Sequence, residues 1–305
     1  MSLNISSSNE DENEKRAGFV AVVGRPNAGK SSFLNWIVGE KLALVSHKAN
    51  ATRKRFNAIA NHENAQFVFI DTPGIHKVER LLNEFMLEEA LKAMTEADLV
   101  LFLSPIEDDL RHYEEFLELQ NPNIPHIVIL SKTDTMNNEQ VLKKLLKFNK
   151  HQDKFKAIIP LSIQKGSSQV YLLESLTRYL PVHPFYYDED ILTTSYLKEI
   201  YKEFIRESVF KYIHKEIPYH TDILITKVNE KPDILEVYAT IIVERDTFKP
   251  IVIGKNASMI KLIGQHSRHA IQKLEDKKVF LKLDVKVDKN WTKDKKSMKS
   301  LGYEV

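Results

Sequence analysis

Between residues 18 and 180 the chain alternates short apolar runs with longer amphipathic stretches. The runs are rich in valine, isoleucine or phenylalanine and are apolar on both faces, as buried strands of a parallel sheet are. They are FVAVVG (19–24), QFVFID (66–71), DLVLFL (98–103), HIVIL (126–130) and AIIPL (157–161). Helical spacing lies between them, for example at 82–95, 107–119 and 138–149. The alternation predicts an α/β domain, with a parallel-type sheet, helices on both faces, and ligands at the carboxyl ends of the strands.

A different pattern follows PVHPFYYDED (181–190), which has two prolines and no periodicity and is interpreted as a linker. Apolar residues recur at helical spacing over 197–209, and strand-like stretches follow at 222–229 and 234–244. In VFLKLDVKV (279–287) apolar and polar residues alternate, which predicts a strand with one buried face. The apolar face holds Val279, Leu281, Leu283, Val285 and Val287, and the other holds Phe280, Lys282, Asp284 and Lys286. This part therefore predicts an α+β domain.

The length of 305 residues favours two domains of ordinary size. The expected boundaries are a disordered polar tail at 1–16, a first domain at 17–180, the linker at 181–190 and a second domain at 191–305. The polar start lacks the apolar stretch of a signal peptide, and no apolar run reaches the roughly 18 residues of a membrane span. Because the chain has no cysteine, disulfides and zinc–thiolate sites are excluded, which suits a reducing cytoplasm.

Charge is distributed unevenly along the chain, although the net charge is only +2. Residues 249–305 carry 14 lysines and arginines against 6 acidic residues, a net charge of +8. Residues 1–248 carry 30 against 36, a net charge of −6. A basic end on an acidic body indicates a polyanionic partner for the C-terminal part, although a solvated lysine-rich surface would give the same count.

The segment GRPNAGKS (24–31) lies between a predicted strand and a predicted helix and has the spacing of a phosphate-binding loop. Gly24 and Gly29 allow the backbone to wrap around phosphates with its N–H groups pointing inward, and the helix presents its positive end to them. Lys30 can neutralise the outer phosphates, and the hydroxyl of Ser31 can bind Mg²⁺. The loop predicted to hold the phosphates comprises Gly24, Arg25, Pro26, Asn27, Ala28, Gly29, Lys30, Ser31 and Ser32.

Two further motifs follow at strand ends, in the order that a nucleotide site requires. In DTPG (71–74), Asp71 is placed to hold Mg²⁺ and Gly74 can approach the last phosphate closely, with Thr72 and Pro73 between them. In SKTD (131–134), the carboxylate of Asp134 can accept hydrogen bonds from guanine N1–H and its amino group. Adenine offers neither donor and would leave that carboxylate unpaired, which predicts a guanine nucleotide. Ser131, Lys132 and Thr133 complete this base-binding segment.

With these motifs the chain resembles the Era family of bacterial ribosome-assembly GTPases over residues 17–305. The resemblance rests on GRPNAGKS, HKANATRKRF (47–56), DTPGIH (71–76), SKTD, and the ending NWTKDKKSMKSLGY (290–303). A monomer is expected, and the resemblance implies a P-loop GTPase domain followed by a type II KH domain and hydrolysis of GTP to GDP with Mg²⁺. It further implies binding of small-subunit ribosomal RNA near its 3′ end, assembly of the 30S subunit, and a loose association with the cytoplasmic face of the inner membrane.

Several positions depart from the pattern of the family. The segment HKANATRKRF (47–56) corresponds to the first switch of the family and has Ala51 before Thr52 in place of a threonine pair. Thr52 alone is therefore expected to bind Mg²⁺ and the last phosphate. The base-binding motif begins with Ser131 in place of asparagine, which predicts weaker nucleotide binding with guanine preference kept by Asp134. Ser162 in PLSIQ (160–164) lies where the last base-contacting loop of the family falls.

Hydrolysis is expected to be slow without assistance. Ile75 follows the glycine of DTPG, where small signalling GTPases have a glutamine that orients water, and His76 is interpreted as an exposed loop residue. We expect a rate on the order of 10⁻⁴–10⁻² s⁻¹. Related GTPases with asparagine at the position of Asn27 use it to hold K⁺ against the phosphates, and we carry this over as a hypothesis. The residues expected to support hydrolysis are Asn27, Lys30, Thr52 and Gly74.

In the C-terminal part, VIGKNASMIKLIG (252–264) resembles the turn with which KH domains clamp a single-stranded backbone. The turn comprises Gly254, Lys255, Asn256 and Ala257, where alanine replaces the second glycine of the pattern. The tail adds lysines that can neutralise phosphates and an aromatic ring that can stack on a base. The candidate RNA-binding residues there are Lys282, Lys286, Lys289, Trp291 and Lys293.

Three other functions stay open at this point. The first is an RNA-binding module with a weakened nucleotide site, as Ala51 and Ser131 suggest. The second is a GTPase whose C-terminal domain binds protein or membrane. The third is an ATPase. GTP turnover with Lys30→Ala as the control distinguishes the first of these, and the salt dependence of RNA binding distinguishes the second.

Overall fold

The computed structural model describes residues 14–46, 51–74 and 81–304. Contacts divide the chain into two compact units. Within the described residues, the first unit comprises 1–39, 56–72 and 91–194, and the second comprises 40–55, 73–90 and 195–305. Two short segments from the N-terminal half of the sequence thus belong to the C-terminal unit.

The first unit contains a six-stranded sheet in the order β2-β3-β1-β4-β5-β6. The strands are β1 (Arg16–Val23), β2 (Phe56–His62), β3 (Ala65–Asp71), β4 (Leu99–Pro105), β5 (His126–Ser131) and β6 (Ala157–Pro160). All five predicted strands are confirmed. The additional strand β2 pairs antiparallel with β3 and makes the sheet mixed. A two-residue turn joins β2 to β3, with Glu63 at φ 50°, and so short a connection permits only an antiparallel pair.

Helices α1 (Lys30–Val38), α3 (Arg111–Leu119), α4 (Asn138–Phe148) and α5 (Gln169–Thr177) belong to the first unit, and α2 (Leu81–Glu96) crosses the division. The predicted helices at 82–95 and 138–149 are confirmed within one residue at each end. The third begins at Arg111, four residues later than predicted, because 106–110 form a turn and bends after β4. None of the helices within the described ranges has the length and apolarity that crossing a bilayer requires.

The stretch predicted as a linker is ordered along the first unit, which extends to Thr194. The side chain of Gln66 is fully buried and holds it. Oε1 of Gln66 accepts hydrogen bonds from the backbone N–H groups of Tyr186 at 2.8 Å and Tyr187 at 3.0 Å. Its Nε2 donates to the carbonyl oxygen of Tyr187 at 2.8 Å. These three bonds fix the backbone path without any sequence periodicity.

The second unit contains a three-stranded sheet in the order β7-β8-β9, with β7 and β8 antiparallel and β8 and β9 parallel. Its elements are α6 (Leu197–Tyr212), β7 (Thr221–Glu230), β8 (Ile234–Val243), α7 (Lys249–Ile253), α8 (Ser258–Glu275), β9 (Lys278–Val287) and α9 (Lys295–Ser300). The predicted helix and the three predicted strands are all present. The order helix, strand, strand, turn, helix, strand is the KH arrangement that the sequence predicted.

Both faces of this second sheet carry apolar residues, but they differ in what covers them. One face packs on helices around Ile205, Val209, Ile241 and Ile263, and the predicted apolar face of β9 lies against this core. On the opposite face, a smaller core surrounds Ile242. It combines Trp291, Met298, Leu301 and Tyr303 from the C-terminal segment with Leu82, Phe85 and Met86 from α2. The ending of the chain is therefore a packed segment.

Candidate nucleotide site and nucleic-acid interface

The loop at 24–29 leaves β1 and leads into α1 with backbone angles that few residues adopt. Gly24 has φ +151°, and a Cβ there would lie 2.7 Å from the carbonyl oxygen of Leu103. Gly29 has φ +99°, and Asn27 has φ 62°, a left-handed conformation that asparagine tolerates better than most residues. These angles close the loop over the start of α1, as the sequence pattern predicted.

Lys30 lies inside this loop and is 6% exposed. Its Nζ donates to the carbonyl oxygens of Gly24 at 3.0 Å and Arg25 at 3.1 Å. Burial lowers the pKa of Lys30 to about 8, although the charge of Asp71 works in the opposite direction. Phosphate oxygens are stronger acceptors than these carbonyl oxygens. The ammonium group is therefore placed to exchange its hydrogen bonds to the carbonyls for hydrogen bonds to phosphates.

The guanidinium of Arg25 is engaged beside the loop. Its Nε and Nη2 donate to the two carboxylate oxygens of Asp108, each at 2.6 Å, and its Nη1 donates to the carbonyl oxygen of Pro26 at 2.9 Å. This pair raises the pKa of Arg25. We infer that Arg25 contributes its backbone to a phosphate site while its side chain anchors the loop, and Asp108 is a residue that the sequence patterns did not identify.

The two predicted Mg²⁺ ligands of the first unit are in direct contact. The hydroxyl of Ser31 donates to Oδ2 of Asp71 at 2.7 Å, and Asp71 is fully buried at the end of β3. A hydroxyl and a carboxylate are hard oxygen donors, which suit Mg²⁺. The adjacent Thr72 is also buried, and its hydroxyl donates to the carbonyl oxygen of Val22 at 2.8 Å, which fixes the end of β3 to β1. The predicted partners Thr52, Pro73 and Gly74 belong to the second unit by their contacts.

The predicted base-binding residues come together at the end of β5. The hydroxyl of Ser162 donates to Oδ1 of Asp134 at 2.7 Å and also accepts the backbone N–H of Lys165 at 3.0 Å. Ser131 is buried, and its hydroxyl donates to the carbonyl oxygen of Ala28 at 3.2 Å. That bond ties the base-binding segment to the phosphate loop.

Lys132 and Thr133 complete this segment. Lys132 has φ 59°, and its Nζ lies 3.1 Å from Oε1 of Glu107. The backbone N–H of Thr133 donates to the carbonyl oxygen of Leu161 at 3.3 Å. The segment is therefore held to the start of the Ser162 loop by backbone as well as side-chain bonds.

The turn at 254–257 has the backbone of a glycine-containing clamp. Gly254 has φ +75°, and a Cβ there would lie 2.7 Å from both the backbone nitrogen and the Cβ of Met259. Asn256 and Ala257 are both left-handed, with φ 53° and 59°. Ala257 precedes the first residue of α8. A left-handed alanine costs about 1–2 kcal/mol, which explains why the KH pattern has glycine at this position. The side chains of Lys255 and Asn256 are exposed.

The candidate RNA-binding lysines of the C-terminal segment are exposed, whereas the tryptophan among them is buried. Lys282 and Lys286 are exposed on β9, Lys293 is exposed, and Nζ of Lys289 lies 2.9 Å from Oδ2 of Asp246. Trp291, in contrast, is fully buried, and its indole N–H donates to the carbonyl oxygen of His220 at 3.1 Å. The RNA-stacking role predicted for Trp291 is therefore wrong: the ring fills the core around Ile242.

Arg53 is a second residue that the sequence patterns did not reveal. It is 3% exposed, and its guanidinium donates to the carbonyl oxygens of Thr221 at 2.7 Å, Tyr219 at 3.0 Å and Pro218 at 3.3 Å. The guanidinium carbon lies 5.5 Å from the centre of the Trp291 ring. A single arginine in a basic stretch carries no periodic signal of burial. The residue directly after Thr52 is thus fixed within the C-terminal unit.

Sequence models of two families match this chain. The family described as "50S ribosome-binding GTPase" matches residues 19–132, and the family described as "KH domain" matches residues 206–292. The phosphate loop, the Ser31–Asp71 pair and the Asp134–Ser162 pair all lie in the first unit, and the left-handed turn lies in the second. Fold and site together define a P-loop GTPase with a C-terminal KH domain.

Relatives that match almost the whole chain show which family within this class the chain belongs to. GTPase Era of Campylobacter concisus is 46% identical over 289 residues, covering 94% of this chain and all of the relative. GTPase Era of Helicobacter pylori strain G27 is 47% identical over 293 residues, covering 94% of this chain and 97% of the relative. The chain belongs to the Era family of GTPases.

Two solved structures superpose on almost the whole length of this chain. A variant of Era from Aquifex aeolicus bound to GDP.AlF4- superposes with a TM-score of 0.91 at 31% identity, covering 95% of this chain and 100% of that one. Era in complex with MgGDPNP and nucleotides 1506–1542 of 16S ribosomal RNA gives the same TM-score and coverage at 32% identity. The expectation of a GTPase fold is thereby confirmed, and both of these related structures hold a guanine nucleotide, one of them with Mg²⁺.

Proposed function

We propose that this chain is a GTP-hydrolysing switch that binds small-subunit ribosomal RNA near its 3′ end and acts in assembly of the 30S subunit. The observation that carries the proposal is the similarity over 95% of the chain to Era in complex with MgGDPNP and nucleotides 1506–1542 of 16S ribosomal RNA. The basic C-terminal segment and the exposed turn at 254–257 supply the matching chemistry on this chain.

The nucleotide is held by groups with separate roles in this proposal. The backbone of the loop at 24–29 and the ammonium group of Lys30 hold the phosphates, while Ser31, Thr52 and Asp71 hold Mg²⁺. The ion neutralises charge on the outer phosphates when it is bound. Asp134, positioned by Ser162, selects guanine. Gly74 allows its backbone N–H to approach the last phosphate.

Hydrolysis in this scheme depends on positioning and charge neutralisation rather than on a catalytic base. Ile75, at the position where related enzymes orient water, and His76, interpreted as an exposed loop residue, lie outside the described residues. We propose slow turnover by the chain alone and a K⁺ ion held by Asn27 against the phosphates. Equal rates in KCl and NaCl, with the Asn27→Ala variant as control, would remove the K⁺ part of the proposal.

Contacts within the second unit support coupling between nucleotide and RNA. Arg53 follows the proposed Mg²⁺ ligand Thr52 and is held by three carbonyl oxygens of the KH region. Leu82 and Phe85, which follow the DTPG segment, pack in the same core as Trp291. The hypothesis is that GTP orders residues around 46–56 and 74–82, of which 47–50 and 75–80 lie outside the described residues. Both adjacent anchors lie in the RNA-binding unit, and linkage then requires RNA to change nucleotide affinity by the same factor.

The decisive experiment measures GTP turnover by the full chain with and without a fragment of small-subunit ribosomal RNA containing the 3′ end. We expect the fragment to change the rate, the Lys30→Ala variant to be inactive in both conditions, and ATP not to be hydrolysed. Turnover that is identical with and without bound RNA would reject the coupled switch.

A location in the cytoplasm and a monomeric state are also part of the proposal. Sedimentation of the purified chain tests the monomeric state.

A further inference from the structure

The outer face of the three-stranded sheet is covered at one end and open at the other. At the covered end, Ile242 and Leu224 pack under the C-terminal segment. At the open end, β8 presents Tyr238 and β9 presents Phe280, which is 45% exposed. The two rings have centroids 5.9 Å apart and are inclined at 61°. An apolar core explains the first end of the face, whereas Tyr238 and Phe280 belong to neither of the two cores formed by the described residues of this unit.

Strand register shows which side chains surround these two rings. Lys227, Tyr238 and Lys282 are direct partners across β7, β8 and β9, so a lysine flanks the tyrosine on each side. Along β9, Lys278 and Lys282 stand two residues before and two residues after Phe280 on the same face. All three lysines are exposed. Lysines therefore lie beside both aromatic rings, and Glu236 on β8 is the direct partner of Phe280.

Acidic residues on this face do not cancel that charge. Glu236 is bound by Lys231 and accepts a hydrogen bond from Asn229 at 3.0 Å, so its charge is already paired. Asp284 stands farther along β9, and Lys286 follows it on the same face. The open end of the face is therefore basic with an aromatic centre. A single-stranded nucleic acid complements this basic and aromatic surface, because its bases stack on aromatic rings and its phosphates pair with lysines.

We propose that Phe280 and Tyr238 form a stacking platform for an unpaired base of the bound RNA, with Lys227, Lys278 and Lys282 at the neighbouring phosphates. The platform lies on the sheet face, whereas the turn at 254–257 precedes α8, which packs on the opposite face. It is thus a second contact on the same unit, and it rests on the proposed RNA-binding function. It requires RNA that is long enough to reach beyond the turn.

The test compares RNA binding by the full chain and by Phe280→Ala, using a single-stranded 3′ fragment of small-subunit ribosomal RNA at one fixed salt concentration. Stacking of one base predicts a Kd that is about 5- to 100-fold higher for the variant. Phe280→Trp should retain affinity, because it keeps an aromatic face. Leu197→Ala, which removes another exposed side chain of the same unit on α6, should leave the Kd unchanged.

A series of fragments with single abasic sites separates stacking from folding. With the wild-type chain, removal of the stacked base at one position should weaken binding, while the same removal should have no effect on Phe280→Leu. Equal losses in both proteins at every position, or an unchanged Kd for Phe280→Ala, would overturn the platform and leave RNA binding itself intact. Failure of the wild-type chain to bind any fragment would instead overturn the proposed function.

Discussion

The hydroxyl of Ser31 donates a hydrogen bond to the carboxylate of Asp71, with 2.7 Å between Oγ and Oδ2. Ser31 is the second residue of α1, and Asp71 is the last residue of β3. They meet because β1 and β3 are neighbouring parallel strands, whose carboxyl ends lie at the same edge of the sheet. Two residues that are forty positions apart in the sequence thus lie together as candidate oxygen ligands.

Removing either oxygen should weaken the Mg²⁺-dependent part of nucleotide binding. For Ser31→Ala and Asp71→Asn we expect the Mg²⁺ concentration at half-maximal GTP binding to rise by about 10- to 100-fold. Titration of Mg²⁺ against a fluorescent GTP analogue measures it. With EDTA present, the variants and the wild-type chain should bind equally weakly, and a difference that persists in EDTA would contradict a role in metal binding.

Asp134→Asn should change the preferred base from guanine to xanthine. The substituted amide presents a donor where the carboxylate accepted from guanine, and xanthine has a carbonyl oxygen where guanine has its amino group. Competition between GTP and XTP measures the change, which should exceed tenfold. Ser162→Ala is the matched control: it removes the hydrogen bond that orients Asp134, so it should weaken both nucleotides without changing their order. An unchanged preference in Asp134→Asn would remove the basis for guanine selection.

Features that a local stretch of sequence or a motif specifies were predicted correctly, whereas the burial of single residues by distant segments was not. Gly24 and Gly29 have backbone angles that the motif itself requires, and each buried strand has an apolar run. The edge strand β2 (FNAIANH) lacks such a run, and only its two-residue turn to β3 reveals the pairing. Trp291 and Arg53 were misjudged or missed because their burial depends on tertiary packing between distant segments, which a local pattern does not contain.

Lys30 should make nucleotide binding sensitive to alkaline pH. Burial lowers its pKa to about 8 in the free chain, and a triphosphate would raise that pKa again by favouring the charged form. Below pH 8 both states are protonated, so affinity should not change. Above pH 8 binding takes up a proton, so affinity should fall as pH rises. Calorimetry at pH 9 in buffers of different ionisation heat measures the uptake, and a flat affinity from pH 7 to 9.5 would contradict this assignment.

Replacing Ala257 by glycine should relieve the strain at the start of α8. The native residue has φ 59°, which costs alanine about 1–2 kcal/mol but not glycine. Because glycine also gains freedom in the unfolded chain, we expect a net rise of about 0.5 kcal/mol in the free energy of unfolding. Urea denaturation measures it. Gly264→Ala, in the interior of α8 with only Leu283 at 3.5 Å from the added Cβ, is a control for glycine in a normal helical position. A destabilised Ala257→Gly would show that the alanine methyl packs favourably.

Trp291 should prove to be a stability residue rather than an RNA contact. Its ring is fully buried with Met298, Leu301 and Tyr303, so Trp291→Ala should lower the free energy of unfolding by about 3–5 kcal/mol. Lys293→Ala, two residues along and exposed, should leave stability within about 0.5 kcal/mol but weaken RNA binding in a salt-dependent way. Denaturation curves and RNA titrations on the same preparations separate the two effects. A Trp291→Phe variant that keeps its fold yet loses RNA affinity as strongly as Lys293→Ala would contradict the buried role, because a ring inside the core has no face for a base.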